Sequence, residues 1–185
     1  MDGPYDAFAD RPAVLNGVAL LCVHKPLLAW TSNSDPLSDE VFQRQLYLGA
    51  FPTAPYPLNN HCIQPSPQRD RWYLDYGPLF ELLRGKRWVL EPHCLEVVGG
   101  TAKANLFQVP GGWVAPVIFG GTNSLAVVRI QHVQGMNQEV RCEAVHPGVA
   151  KPVAAAFSYQ AGVLKVRVPL WRGCAMLKLM PVAGR

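Results

Sequence analysis

Two His-Cys dipeptides, His61-Cys62 and His93-Cys94, are the residues of this chain best suited to metal or nucleophile chemistry. Imidazole and thiolate are zinc ligands, but paired zinc ligands are normally separated by about two to four residues. Neighbours on a strand point to opposite faces, so neither dipeptide could give one metal two ligands there. No metal and no cofactor are expected. A nucleophilic pair such as Cys62 with His93 is permitted by residue type, and nothing in the spacing supports it.

None of the thirteen carboxylates lies in a recognised catalytic motif. Glu81 falls in a predicted short helix, and Glu91 and Glu96 on a predicted sheet surface. Asp75 reads as a helix N-cap. Asp39 and Glu40 suit a helix first turn, where the dipole favours negative charge. That leaves Asp35 without the second acid that glycoside hydrolysis requires. The stretches VPGG (109–112) and GTNS (121–124) resemble phosphate loops only in glycine content, and neither precedes a predicted helix. The cluster Asn59-Asn60-His61 is different, because Tyr56, Trp72, Tyr73 and Tyr76 are close to it in sequence. Aromatic faces stack on sugar rings, and Asn and His hydrogen-bond hydroxyls, so Tyr56, Asn60, His61, Trp72 and Tyr76 form a candidate carbohydrate site. The competing reading is an Asx turn with aromatics packed at a domain junction.

Several elements must position these residues. Val18–Val23 is a short apolar run suited to a buried strand, with an extended continuation at Leu27–Trp30. Ser38 caps a predicted helix over 39–49 that ends at Gly49. Residues 51–67 hold five prolines and read as a stiffened loop. A second helix is predicted from Asp75 to Arg84, with Pro78 in its first turn and Gly85 at its end. From residue 86 onward the pattern is strand-like. The predicted runs are 87–91, 94–98, 104–109, 112–119, 124–131, 138–145, 153–159, 162–169 and 174–180, with glycine turns between them. Val163–Val168 alternates clearly, and Gln160-Ala161-Gly162 reads as a hairpin turn. Trp88 and Trp113 are expected to be largely buried in the resulting sandwich.

Composition agrees: 49% apolar and 16% charged residues describe a globular chain, while 17 prolines and 16 glycines favour loops and strands over a helical bundle. The net charge of +4 is mild, and its one cluster, Arg84, Lys86 and Arg87, reads as solvated surface, so no nucleic-acid partner is expected. Five dispersed cysteines without a CxxC read as buried free thiols. The acidic N-terminus is no signal peptide, so the cytoplasm is the default compartment. No apolar run reaches the roughly 18 residues of a membrane span.

Four stretches in this order, LYLGAFPTAPYPLNN, LDYGPLFELLRGKRWVLEPH, VPGGWVAPVIFGG and VLKVRVPLWRGCAMLKL, carry a family pattern covering roughly residues 15–180. It resembles the C-terminal region of large bacterial glycoside-hydrolase-like proteins. In those, a (β/α)8 barrel ends with its last strands and helices and an antiparallel β-sandwich follows. The resemblance implies a mainly β chain with an α/β segment (1–85, a barrel remnant or docking arm) and an antiparallel β-sandwich (86–185). A barrel needs about 200–250 residues, so most of it, with its catalytic carboxylates, would lie outside this chain. The resemblance therefore implies a C-terminal module or fragment that supports or weakly binds carbohydrate without cleaving it alone, or one completed by a partner chain supplying the missing strands. An autonomous β-sandwich interaction module and a small hydrolase using His61 or His93 are the alternatives.

Overall fold

The computed structural model describes residues 27–29, 37–53, 66–136 and 139–182. Strand β1 (Leu27–Ala29) leads to helix α1 (Asp39–Leu48), strand β2 (Ala50–Pro52) and helix α2 (Pro67–Glu81). Strands follow: β3 (Arg87–Trp88), β4 (Leu95–Val97), β5 (Lys103–Ala104), β6 (Phe107–Val109), β7 (Gly112–Ile118), β8 (Leu125–Gln131) and β9 (Val140–Val145). The last four are β10 (Val153–Ala154), β11 (Ala156–Gln160), β12 (Val163–Pro169) and β13 (Ala175–Pro181). Val18–Val23 lies outside the described residues.

The first three elements form one parallel unit. β1 and β2 pair in parallel, Leu27 opposite Ala50, and α1 is the crossover between them. α1 begins as its sequence predicts: the Ser38 hydroxyl accepts from Val41 N at 3.4 Å. It ends at Gly49, whose φ of 62° is the left-handed conformation that lets its N–H reach the Gln45 and Leu46 carbonyls.

The strands make two antiparallel sheets. One has the order β10-β9-β13-β7-β6-β3, with β5 also on β7; the other is β11-β12-β8-β4. Their facing sides alternate as the sequence does. Leu164, Val166 and Val168 of β12 meet Ala126, Val128 and Ile130 of β8 on one side, and Trp113, Ala115, Val117, Leu177 and Leu179 oppose them from the other sheet. The 104–109 run divides at Asn105, whose side chain accepts Leu106 N and donates to the Tyr47 carbonyl. The 153–159 run divides at buried Ala155, where the chain passes from one sheet to the other. Ala161 (φ 49°) and Gly162 (φ 79°) form the expected tight hairpin between β11 and β12.

The larger sheet is buried on its outer face too. Val114 and Ile118 of β7, Phe107 of β6 and Met176 of β13 pack under Phe42, Leu46, Tyr76, Leu79, Phe80 and Leu83. The result is three layers: helix pair, sheet, sheet. The helices and the strands share this second core, so the helix-to-strand change near residue 86 is not a break in packing.

Three expectations change. α2 starts at Pro67 with Ser66 as N-cap, eight residues before Asp75, and Asp75 is an interior helical residue. Pro78 lies within the helix; it and Leu74, whose carbonyl loses its usual partner, are both exposed, so water can serve the free group. Trp88 is half-buried, and packs edge-on against Phe107 at 4.9 Å in the helix-side core, whereas Trp113 is buried between the sheets. Lys86 is not solvated like Arg84 and Arg87: it is buried with its ammonium 5.7 Å from the Phe107 ring centre.

Candidate functional site

A dense polar cluster lies where the helix pair meets the sheet, and Arg172 is its centre. Trp171-Arg172-Gly173-Cys174 is a tight turn closed by reciprocal backbone bonds of 3.0 Å between Trp171 and Cys174. Arg172 has φ 54° and Gly173 φ 70°. Such turns favour Asn or Gly at the first central position, because an L side chain there crowds its own backbone. Arginine is held in that conformation by what its side chain reaches.

Arg172 Nη1 donates to Asp75 Oδ2 at 2.6 Å. Its Nε and Nη2 both donate to Asp39 Oδ1, at 2.8 and 2.7 Å. The guanidinium also lies 4.9 Å from the Trp72 ring centre and 5.4 Å from that of Tyr76. One side chain from the sheet therefore grips the first turn of α1 and the middle of α2. Burial opposes its charge, but the bonds to Asp39 and Asp75 outweigh that and hold the guanidinium's pKa above its ordinary value.

The neighbours complete the fastening. Tyr76 is fully buried, and its hydroxyl donates to Asp39 Oδ1 at 2.6 Å. Burial, then Cys174 and Asp39, push its pKa upward, so it stays a neutral donor. Buried Gln43 of α1 spans two loops: its Oε1 accepts Phe119 N at 2.8 Å and its Nε2 donates to the Arg172 carbonyl at 2.8 Å. From the β9 side, Gly148 N donates to the Asp75 carbonyl at 3.0 Å. Any Cβ on Gly148 would stand 2.9 Å from Asp75 Oδ1, so only glycine admits this approach. Cys174 lies beneath, fully buried, its thiol pKa raised by burial first and then by Asp39.

Chemically this is a lock. Asp39 and Asp75 are two carboxylates in one site, but one guanidinium occupies the space between them. A substrate would have to displace it before either bonded oxygen, Asp39 Oδ1 or Asp75 Oδ2, could act as acid or base. The ring of Tyr76, expected to stack on sugar, is withdrawn from solvent between Phe42 (centroids 5.0 Å apart) and Trp72 (6.4 Å). Trp72 is half-buried beside Arg172, and Tyr73 donates to the Thr53 carbonyl at 2.8 Å. Tyr56, Asn60, His61, Cys62, Cys22 and Asp35 lie outside the described residues. His93 is exposed on a turn and Cys94 beside it is buried, so the pair does not lie on a strand. Cys94, Cys142 and Cys174 are free and buried. Among the described residues no group of three or more His, Cys, Asp or Glu is placed to hold a metal. Nor is any described helix long and apolar enough to cross a membrane.

Compared with known proteins, the chain matches no family model, and no curated protein matches it.

Proposed function

We propose that the chain is the C-terminal portion of a larger glycoside-hydrolase-like protein, and that it supports carbohydrate processing without cleaving glycosides on its own. The observation that carries this reading is the parallel β1–α1–β2 unit. Parallel strands belong to larger sheets with both faces covered, and two strands alone make a marginal sheet. Among the described residues β1 and β2 have no further strand beside them, and Leu28 of β1 is 63% exposed, as in a strand that has neighbours in a further α/β layer. The connections are also lopsided. Gly49 alone joins α1 to β2, while residues 30–38 follow β1 and residues 53–66 follow β2. In (β/α)8 barrels the connections after the strands build the ligand site, and those before them are structural.

On this reading Tyr56, Asn60 and His61 belong to the ligand-side segment after β2, with Trp72 on the helix that follows. The sandwich and the Arg172 lock hold the last helices in place. Binding by one such segment is weak, in the millimolar range, on the order of −4 kcal/mol. The test is a screen of the isolated chain with aryl-glycosides of common hexoses and pentoses. No turnover is expected. Turnover abolished by Asp35→Asn or Asp75→Asn would show a complete catalytic site and overturn the reading.

A further inference from the structure

A second place on the molecule, on the sandwich, has the chemistry of a sugar site. A cleft of about 750 Å³ opens at the edge of the sandwich, within the size range of ligand sites. Its lining includes Leu90, Glu91, Gln108, Trp113 and Gln134. We infer that this cleft binds a short neutral oligosaccharide. The inference rests on the carbohydrate part of the reading above and names a different site for it.

The donor set decides the ligand class. Two amides and one carboxylate, all exposed, can donate to and accept from vicinal hydroxyls. Leu90, 66% exposed, supplies an apolar wall for the C–H face of a sugar ring. Among the described residues no cation lines the cleft, which does not favour a phosphate or carboxylate ligand. The interspersed polar groups make it a poor seat for an apolar helix or an acyl chain. The wall is also preformed. Val89 N donates to the Leu106 carbonyl at 3.3 Å, and Cys94 N to that of Glu91 at 3.4 Å. Gln131 then anchors the turn to β8, its N donating to the Cys94 carbonyl at 2.8 Å and its Nε2 to that of His93 at 3.4 Å. A fixed wall loses little entropy on binding.

The experiment is amide NMR titration of the chain with cellohexaose, xylohexaose, mannohexaose and maltohexaose, each tested separately. At least one probe should shift the amides of residues 88–92, 108 and 133–134. Gln108→Ala and Glu91→Ala, both at exposed positions, should weaken that probe about tenfold, one lost charged or paired hydrogen bond. Retained spectral dispersion shows that each variant is folded. Shifts confined to residues 53–72, lost in Asn60→Ala or His61→Ala and unchanged in the cleft variants, would overturn the cleft and leave the larger reading standing. No shift anywhere with any probe would overturn both. Shifts at the cleft that survive both cleft variants would overturn the assigned contacts and the inference with them.

Discussion

Replacing Arg172 by glycine tests the lock most directly. Glycine keeps the left-handed backbone of the turn, so the perturbation removes the side chain and relieves the crowding at φ 54°. The Asp75 bond is the strongest part lost, because both side chains are mostly shielded, at 26% and 18% exposure. A charge-assisted bond of this kind contributes about 1.5–3 kcal/mol. Asp39 is 38% exposed, so its share is discounted for solvent screening to about 1 kcal/mol or less. The Trp72 and Tyr76 faces add about 0.5–1 kcal/mol each. Against this, glycine gains roughly 1–2 kcal/mol of relieved left-handed strain. The net expected loss spans about 0.5–5 kcal/mol and centres on about 3 kcal/mol, or roughly 6–12 °C in Tm at that centre for a chain of this size.

Urea unfolding followed by far-ultraviolet circular dichroism gives the total loss, and a double-mutant cycle with Asp75→Asn isolates the coupling. Hydrogen exchange supplies the location: amides of α1 and α2 should open at lower free energy, while β8 and β12 keep their protection. A loss below about 0.5 kcal/mol, the range of an ordinary surface substitution, would refute the lock. So would a coupling near zero, or equal loss of protection across all layers.

Two further outcomes are expected. Burial pushes the Cys142 thiol up to about 12, while an unfolded thiol ionises near ~8.5. The unfolded chain therefore loses its proton first, and the stability tied to the neutral thiol is full below that pH and falls as pH rises toward about 12. Urea midpoints across the alkaline range should fall less steeply for Cys142→Ala than for the parent chain, and an equal slope would contradict the assignment. Trp113→Ala, at a site 6% exposed between the sheets, should cost about 3–5 kcal/mol in the same assay. Trp88→Ala should cost less, because that ring is half-buried and its buried Nε1 has no partner among the described residues. Equal costs would mean that the two indoles are packed alike.

How far the sequence could be read depended on the range of the interaction. The strand runs are visible because alternation and glycine turns are local, and α1 is visible because Ser38 and Gly49 are local caps. α2 was hidden by local signals of the wrong meaning: Asp75 and Pro78 imitate a helix start within a helix that has already turned twice. Asp75 serves a residue 97 positions away, and Asp39 one 133 positions away, so neither role leaves a trace in its own neighbourhood. Two signals did point to the missing layer. Trp113–Ile118 and Ala175–Leu179 are nearly unbroken apolar runs, and such a strand is buried on both faces. One face belongs to the sandwich, so the other required a cover, and the only predicted helices lay before residue 86. The second signal is Arg172-Gly173 itself, an arginine where a tight turn favours Asn or Gly. A residue kept in a conformation it resists is held there by its side chain, and here the side chain holds that cover in place.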